Sequence, residues 1–161
     1  QVLKMILVWD KKKFDFKNEV KYMDNFREDK HKYMDLVQGV INRMASNSFA
    51  LKGWAVTLVA GIFALASKDA DKCYFIIAYI PIIVFWGLDT YYLWQERLYR
   101  ALYNKVRKME DEKIDFDMNT NKDELKTGKN TYLDTLFSVR ELFFYLPLAI
   151  VSAAVIWIAF I

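Results

Sequence analysis

The sequence predicts an all-α transmembrane protein that has three spans and long cytosolic helical extensions and that forms oligomers. Two observations predict this fold class. The 161 residues are 55% hydrophobic and 27% charged, and the apolar residues lie in three blocks, each near the roughly 20 residues that cross a bilayer. The segments between these blocks have helical periodicity, and no segment of note alternates with the period of a β-strand. The predicted organisation has four parts: an N-terminal cytosolic segment with an amphipathic helix, 1–46; a transmembrane hairpin, 47–94; a cytosolic helix and polar loop, 95–141; and a third span, 142–161.

The N-terminal part is predicted to contain an amphipathic helix that starts at residue 18 and continues to the membrane. Its opening, Val2–Trp9, is apolar but too short to span a bilayer. Between residues 18 and 44, apolar residues recur at steps of three and four with charged residues between them: Met23, Phe26, Tyr33, Val37, Val40, Ile41 and Met44. Proline is absent from residues 18–67, so we expect one helix, or a helix bent near Gly39 or Asn47, that continues into the first span.

The hairpin consists of spans 49–67 and 73–94, joined by the loop KDADK at 68–72. Ten Lys and Arg precede the first span and ten lie between the second and third spans, whereas the loop has only two. The positive-inside rule therefore places the N-terminus and residues 95–141 in the cytoplasm, and the C-terminus on the periplasmic or extracellular side.

The cytosolic segment after the hairpin begins as a continuation of the second span. LDTYYLWQERLYRALYNKVRKMEDE contains no helix breaker, so the extensions of spans one and two are predicted to form a helical stalk. Residues 115–130 are rich in Asn, Asp, Thr and Gly and are predicted to be a mobile loop. TYLDTLFSVRE then forms an amphipathic lead-in to the third span.

Lys52 is a charged residue inside the first apolar stretch, where an ionised side chain is costly and marks a candidate functional site. Counted from Ala70 in the loop, Lys52 lies 18 residues back and Asp89 lies 19 residues forward. At a rise of 1.5 Å per residue, both lie roughly 27 to 29 Å from the loop. We expect an ion pair between them, within one hairpin or between subunits. It either stabilises packing and topology or forms part of a gate.

The first span also presents a face of small side chains at steps of three and four: Ser46, Ala50, Gly53, Thr57 and Gly61. Such a face allows close approach of another helix. The partner is either another span of the same chain or the same helix of a second copy. Because three spans do not readily enclose a polar pathway, a pore would require several subunits.

Several function classes are disfavoured by the sequence. The net charge of +3 is small and the basic residues alternate with acidic ones, which argues against nucleic-acid binding as such. Cys73 is the single cysteine, so no intrachain disulfide forms. His31 is the single histidine, and no hydrolase, zinc-protease or nucleotide-binding motif is present, so we expect no enzyme and no cofactor.

Two cytosolic features are considered as possible ligand sites. Residues 115–126 resemble a calcium loop in the spacing of Asp and Asn, but Thr120 replaces the turn glycine and Lys126 replaces the final glutamate, so no metal site is predicted. The helix QERLYRALYNKVRK carries Arg97, Arg100, Tyr103 and Arg107. These residues form either a solvated stalk face, paired with nearby acidic residues, or a surface for a phosphate-bearing ligand.

The segments VINRMASNSFALKGWAVTLVAG and GLDTYYLWQERLYRALYNKVR resemble small membrane effectors of bacterial anti-phage defence, of the SLATT type encoded with nucleotidyltransferases and of the ion-channel-like type found in Hailong systems. The resemblance covers about a quarter of the chain and is one of architecture. It implies an inner-membrane homo-oligomer whose output is membrane disruption or ion conduction. It also implies a nucleotide or oligonucleotide regulator made by a partner nucleotidyltransferase.

The leading functional hypothesis is therefore a channel-like effector in the lipid bilayer of the inner membrane that dissipates an ion gradient when activated. The alternative is a non-conducting interaction or scaffold module that presents the cytosolic stalk to a soluble partner.

Overall fold

The computed structural model describes residues 2–66, 77–126, 128 and 130–160. Within these residues the chain forms α-helices and two short 3-10 turns and contains no β-strand, so the all-helical class is confirmed there. The helices are α1 (Val2–Ala66), α2 (Tyr79–Lys108), α3 (Tyr132–Leu136) and α4 (Val139–Phe160), and the turns are Asp111–Lys113 and Asp123–Leu125.

Helix α1 is a single element of 65 residues, about 100 Å long. It begins at Val2, well before the start predicted at residue 18, because residues 10–17 contain neither glycine nor proline and continue the helix. Neither Gly39 nor Asn47 interrupts it. The predicted boundary between residues 46 and 47 therefore marks a change of composition inside one helix.

Outside the apolar stretches, α1 and α2 pack side by side around a core that we call the extension core. Its buried members come from α1, from α2 and from the segment that follows α2: Tyr33, Val37, Ile41, Leu98, Leu102, Val106, Ile114 and Leu125. The α1 residues are spaced by four, so one stripe of that helix faces α2. The predicted helical stalk thus has a hydrophobic core of its own.

The described residues of the polar segment 110–130 cover one side of the extension core. Ile114 and Leu125 are buried in it, and the Tyr33 hydroxyl donates a hydrogen bond of 2.6 Å to the Asp117 carbonyl. The Trp94 indole N–H donates to the Asn130 carbonyl at 2.8 Å. The sequence predicts a mobile loop here because its residues are polar, whereas the structure shows a docked segment held by two apolar anchors.

Replacing Tyr33 by phenylalanine should loosen this docking. The substitution keeps the ring in the core and removes the donor to Asp117, so we expect the free energy of unfolding to fall by about 1 kcal/mol. Denaturant unfolding of the two proteins measures the loss. Tyr22→Phe, at an exposed position of the same helix, is the matched control and should be neutral. A Tyr33→Phe protein as stable as the wild type would contradict the inferred role of this hydrogen bond.

Two described helices, α1 and α4, are long and apolar enough to cross a membrane. Only 17% of the residues in the apolar window of each helix are buried within the chain. The exposed side chains in these regions include Phe49, Trp54, Leu65, Phe143, Trp157 and Ile158. Such a surface is unfavourable in water and is typical of contact with lipid, so the helices indicate a membrane protein.

The predicted loop at 68–72 and the start of the predicted second span, 73–94, lie outside the described residues. The described part of this span is the N-terminal half of α2, which packs beside α1 and α4. A second core, the span core, joins the three helices through Ala55, Val59, Ile82 and Tyr145. Helix α4 begins at Val139, three residues before the predicted start of the third span.

Candidate functional site

A cluster of charged side chains lies among α1, α2 and α4, beside the span core. It consists of Lys52 from α1, Asp89 from α2, and Glu141 and Tyr145 from α4, and we call it the charge cluster. Glu141 and Tyr145 are four residues apart, so they share one face of α4. Each of the three long helices therefore supplies at least one member.

The Lys52 ammonium is the centre of the charge cluster. It donates to Asp89 Oδ2, to Glu141 Oε1 at 3.3 Å and to Ser48 Oγ at 3.4 Å, which occupies its three N–H groups. The Tyr145 hydroxyl donates to the same Asp89 oxygen at 3.1 Å. Lys52 Nζ also lies 5.6 Å and 5.8 Å from the ring centroids of Phe144 and Tyr145, within the range of a cation–π interaction.

Burial separates the members of the charge cluster. The side chains of Asp89 and Glu141 are 0% exposed, and that of Lys52 is 17% exposed. Two acceptor oxygens in the cluster, Asp89 Oδ1 and Glu141 Oε2, have no hydrogen-bond partner. The cluster therefore contains more buried acceptor capacity than its donors satisfy. Buried acceptors without partners are uncommon in folded proteins, and each points to a proton, an ion, a water molecule or a functional role.

The sequence analysis names Lys52 and Asp89, and the structure places them in contact. It misses Glu141 and Tyr145. Glu141 is the residue immediately before the predicted third span, and an acidic residue at that boundary is the signal that could have identified it. Because the third span follows a long irregular segment, its depth relative to Lys52 could not be counted from the loop.

The small-residue face of α1 lies opposite the charge cluster. Ser48, Ala55 and Val59 are buried against the rest of the chain, and at 100° per residue the small residues lie roughly 180° away. All five of them are exposed: Ser46, Ala50, Gly53, Thr57 and Gly61. A Cβ atom added at Gly53 or Gly61 would meet nothing within 4 Å. Within the described residues, this face is not used for contacts with another helix of the same chain.

The four residues of the predicted cytosolic ligand surface have different contacts. Arg97 donates to Thr135 Oγ1 of α3 at 3.2 Å, and Arg100 forms an ion pair with Glu96 at 2.8 Å. Tyr103 packs against the extension core, and Arg107 is exposed one residue before the end of α2. Arg97 and Arg107 are separated by about 15 Å along the helix. The structure therefore does not gather them into one binding site.

Arg97 instead lines an open cavity with residues of α3 and the start of α4. The cavity has a volume of about 730 Å³ and is lined by Arg97, Leu133, Asp134, Phe137, Ser138, Val139 and Arg140. Arg140 also approaches Glu96, with Nη1 3.7 Å from Oε2, which is too long for a hydrogen bond. Exposed apolar side chains and two guanidinium groups thus occur together beside the start of α4.

The segment that resembles a calcium loop has a lysine where the cation would lie. The backbone N–H groups of Asp117, Asn119 and Asn121 each donate to the side-chain oxygen of the residue two positions earlier, which forms a series of Asx turns. Lys122 Nζ lies 3.0 Å from Asp115 and 3.1 Å from Asp117. Its hydrogen bonds with these carboxylates raise the pKa of Lys122 to about 12 and lower the pKa of Asp115. The pKa of Asp117 is lowered first by the hydrogen bond from the Asn119 backbone N–H and then by that from Lys122. An internal ammonium therefore occupies this position.

We expect Lys122→Gln to raise the pKa of Asp115 toward the usual aspartate range and to raise that of Asp117 less, because the Asn119 backbone N–H still donates to Asp117. A lowered carboxyl pKa contributes stability above the ordinary pKa and loses it as the pH falls through the folded value, whereas the raised pKa of Lys122 contributes until the pH rises through about 12. The docked segment is thus favoured between these limits. Carboxyl ¹³C NMR titration measures the shift, and Lys113→Gln is the matched control. Unchanged aspartate pKa values in the Lys122 variant would contradict this assignment.

Within the described residues, no group of three or more His, Cys, Asp and Glu side chains is arranged to hold a metal ion. His31 is exposed on α1. Comparisons with protein-family models, curated proteins and solved structures found no match to this chain. Among the described residues, the charge cluster and the small-residue face are the main candidate functional features.

Proposed function

We propose that this protein is a channel-like effector of the bacterial inner membrane that assembles from several copies and dissipates an ion gradient when activated. The observation that supports this most directly is the arrangement of α1. One face holds the charge cluster against α2 and α4, and the opposite face has small side chains without a described contact. In a membrane, such a face favours close packing of a second helix.

The proposal includes three spans in each chain. The N-terminal half of α2 exposes Ile80, Ile83, Val84 and Leu88, as a lipid-facing helix does, while Ile82 packs in the span core. In this arrangement the second span starts at Cys73, and the positive-inside rule places the extension core in the cytoplasm. The α1 helices of several copies would line part of the pathway, and the charge cluster would hold α2 and α4 against them as a gate or its scaffold.

A role in anti-phage defence, and control by a nucleotide or oligonucleotide, follow only from the resemblance in architecture. For such a ligand, the cavity that contains Arg97 and Arg140 is a better candidate than the row of basic residues along α2. Both guanidinium groups line it, and guanidinium groups suit phosphate recognition.

Ion flux through liposomes that contain the purified full-length protein tests the proposal. We expect flux when the protein is activated, with nucleoside triphosphates and short oligonucleotides as probes, and loss of membrane potential in cells that express it. Empty liposomes and liposomes with an unrelated three-span protein are the controls. If no condition produces flux and cells keep their potential, the channel proposal is wrong.

The second candidate is a non-conducting module that presents the helical stalk to a soluble partner. It is favoured by the N-terminal third of α1, which extends beyond the extension core and exposes Trp9, Phe16, Val20 and Met23. These residues lie on one face of the helix and continue the stripe that packs against α2 at Val37. For this candidate, Phe16→Ser with Met23→Ser would abolish partner binding, Phe14→Ser on another face would not, and flux would be absent.

A further inference from the structure

We propose that the charge cluster binds one exchangeable proton, held by Glu141 and shared toward Asp89, so that Glu141 is a neutral acid at neutral pH. The inference concerns a buried site within one chain. It therefore stands independently of whether the protein conducts ions, and it is tested without measuring flux.

The first step is the balance of charge. One ammonium group, Lys52, faces two carboxyl groups, so the fully ionised cluster would carry a net charge of −1. Both carboxyl side chains are 0% exposed, and an uncompensated charge in such surroundings is so costly that the group takes up a proton instead. Among the groups packed near the start of α4, Glu96 contacts both Arg100 and Arg140, which leaves one positive charge in excess. Both arginine side chains are more than half exposed, so solvent screens that charge and it does not neutralise the buried cluster.

The second step is the placement of the proton. Asp89 Oδ2 accepts two hydrogen bonds, one from Lys52 and one from Tyr145. Glu141 receives only the 3.3 Å contact from Lys52 on Oε1, and its Oε2 has no partner. A carboxyl group with fewer donors is the one that keeps the proton. Glu141 is therefore assigned as the acid.

The third step is what the proton does for the two unpaired oxygens. Asp89 Oδ1 and Glu141 Oε2 are both acceptors without a donor, and they belong to carboxyl groups that contact the same ammonium nitrogen. A proton on Glu141 Oε2 converts that atom from an unpaired acceptor into a donor, and Asp89 Oδ1 is an unpaired acceptor in the same cluster. The Tyr145 hydroxyl already donates to Asp89 Oδ2, and Ser48 Oγ accepts from Lys52. One proton thus restores the charge balance and removes one of the two unpaired acceptors.

A sodium or potassium ion would restore the charge balance too, but it needs several oxygen ligands around it. The described cluster offers two free oxygens, and the Lys52 ammonium lies where the carboxylates converge. The geometry therefore favours the proton.

Infrared spectroscopy of the full-length protein in lipid nanodiscs tests the proposal. At neutral pH we expect a C=O stretching band of a protonated, buried carboxyl group that shifts in D₂O and shifts again when only glutamate is ¹³C-labelled. Glu141→Gln should remove this band completely. Glu112→Gln, at an exposed position, is the matched control and should retain it.

Two further variants and the glutamate labelling test the proposal even if Glu141→Gln does not fold. Asp89→Asn leaves one carboxylate beside Lys52, so it should also lose the band, whereas Lys52→Met should retain it because both remaining carboxyl groups are then unpaired. The glutamate-labelling result needs no substitution at all. Absence of the band in the wild type, or a thermal stability that depends on sodium or potassium rather than on pH, would overturn the proposal.

Discussion

Replacing Lys52 by methionine should lower the free energy of unfolding by about 3 to 5 kcal/mol, the usual cost of removing one partner from a buried ion pair. Methionine has a similar unbranched length, so the packing against Phe144 and Tyr145 is largely kept while the three donated hydrogen bonds are lost. The change in the free energy of unfolding therefore reports mainly on the lost charge and hydrogen bonds. Unfolding in mixed micelles with increasing denaturing detergent measures this change.

The control for this prediction is Lys105→Met. Lys105 forms an ion pair with Glu124, and both side chains are substantially exposed, at 36% and 53%. Exposed pairs contribute at most about 1 kcal/mol, so this variant should be close to neutral. A Lys52→Met protein as stable as the wild type at neutral pH would show that the carboxyl groups do not depend on the ammonium.

Because Glu141 belongs to the charge cluster, a variant without charges in the cluster needs three substitutions and not two. Lys52→Leu combined with Asp89→Leu, which the sequence alone suggests, leaves Glu141 buried without a cation. The variant Lys52→Met with Asp89→Asn and Glu141→Gln removes the ammonium and both carboxyl groups of the charge cluster and keeps the approximate shape of the three side chains. We expect this triple variant to regain much of the stability lost in Lys52→Met, because a buried ion pair contributes little beyond a well-packed uncharged replacement.

The sequence was sufficient to bring Lys52 and Asp89 together because an uninterrupted helix has a fixed rise per residue. Two residues that are counted as similarly far from a predicted hairpin loop are expected at similar depths. Glu141 could not be assigned in the same way. Between α2 and α4 lie two 3-10 turns and the short helix α3, and through such a segment residue number no longer measures depth.

The docked segment after α2 illustrates a different limit. Its composition of Asp, Asn, Thr and Gly is that of a loop, but Ile114 and Leu125 anchor it in the extension core. Two isolated apolar residues have no periodicity, so the sequence does not distinguish them from exposed ones. The helical extent of α1 was underestimated for a related reason. The members of the extension core on α1 begin at Tyr33, and the predicted helix starts at residue 18, where the amphipathic pattern becomes clear.

Replacing Gly53 by leucine should weaken self-association at least about tenfold, equal to a loss of about 1.4 kcal/mol, while leaving the single chain intact. A Cβ atom at Gly53 meets nothing within 4 Å in the monomer, so leucine has room there. Loss of a helical glycine should even stabilise the monomer by roughly 0.5 to 1 kcal/mol. The predicted changes in monomer stability and in assembly therefore have opposite signs, which separates an interface effect from general damage. Photobleaching counts of subunits in nanodiscs measure the assembly.

Val56→Leu is the control for the interface test, because it also enlarges a side chain at an exposed position of α1 but lies outside the small-residue face. It should leave the number of subunits unchanged. If Gly53→Leu assembles as the wild type does, the small residues face lipid, and a pathway lined by α1 loses its main support. If Gly53→Leu lowers both the subunit count and the ion flux while Val56→Leu lowers neither, assembly through this face is required for flux. The charge cluster, on the opposite side of α1, would then act within each subunit and not at the contact between subunits.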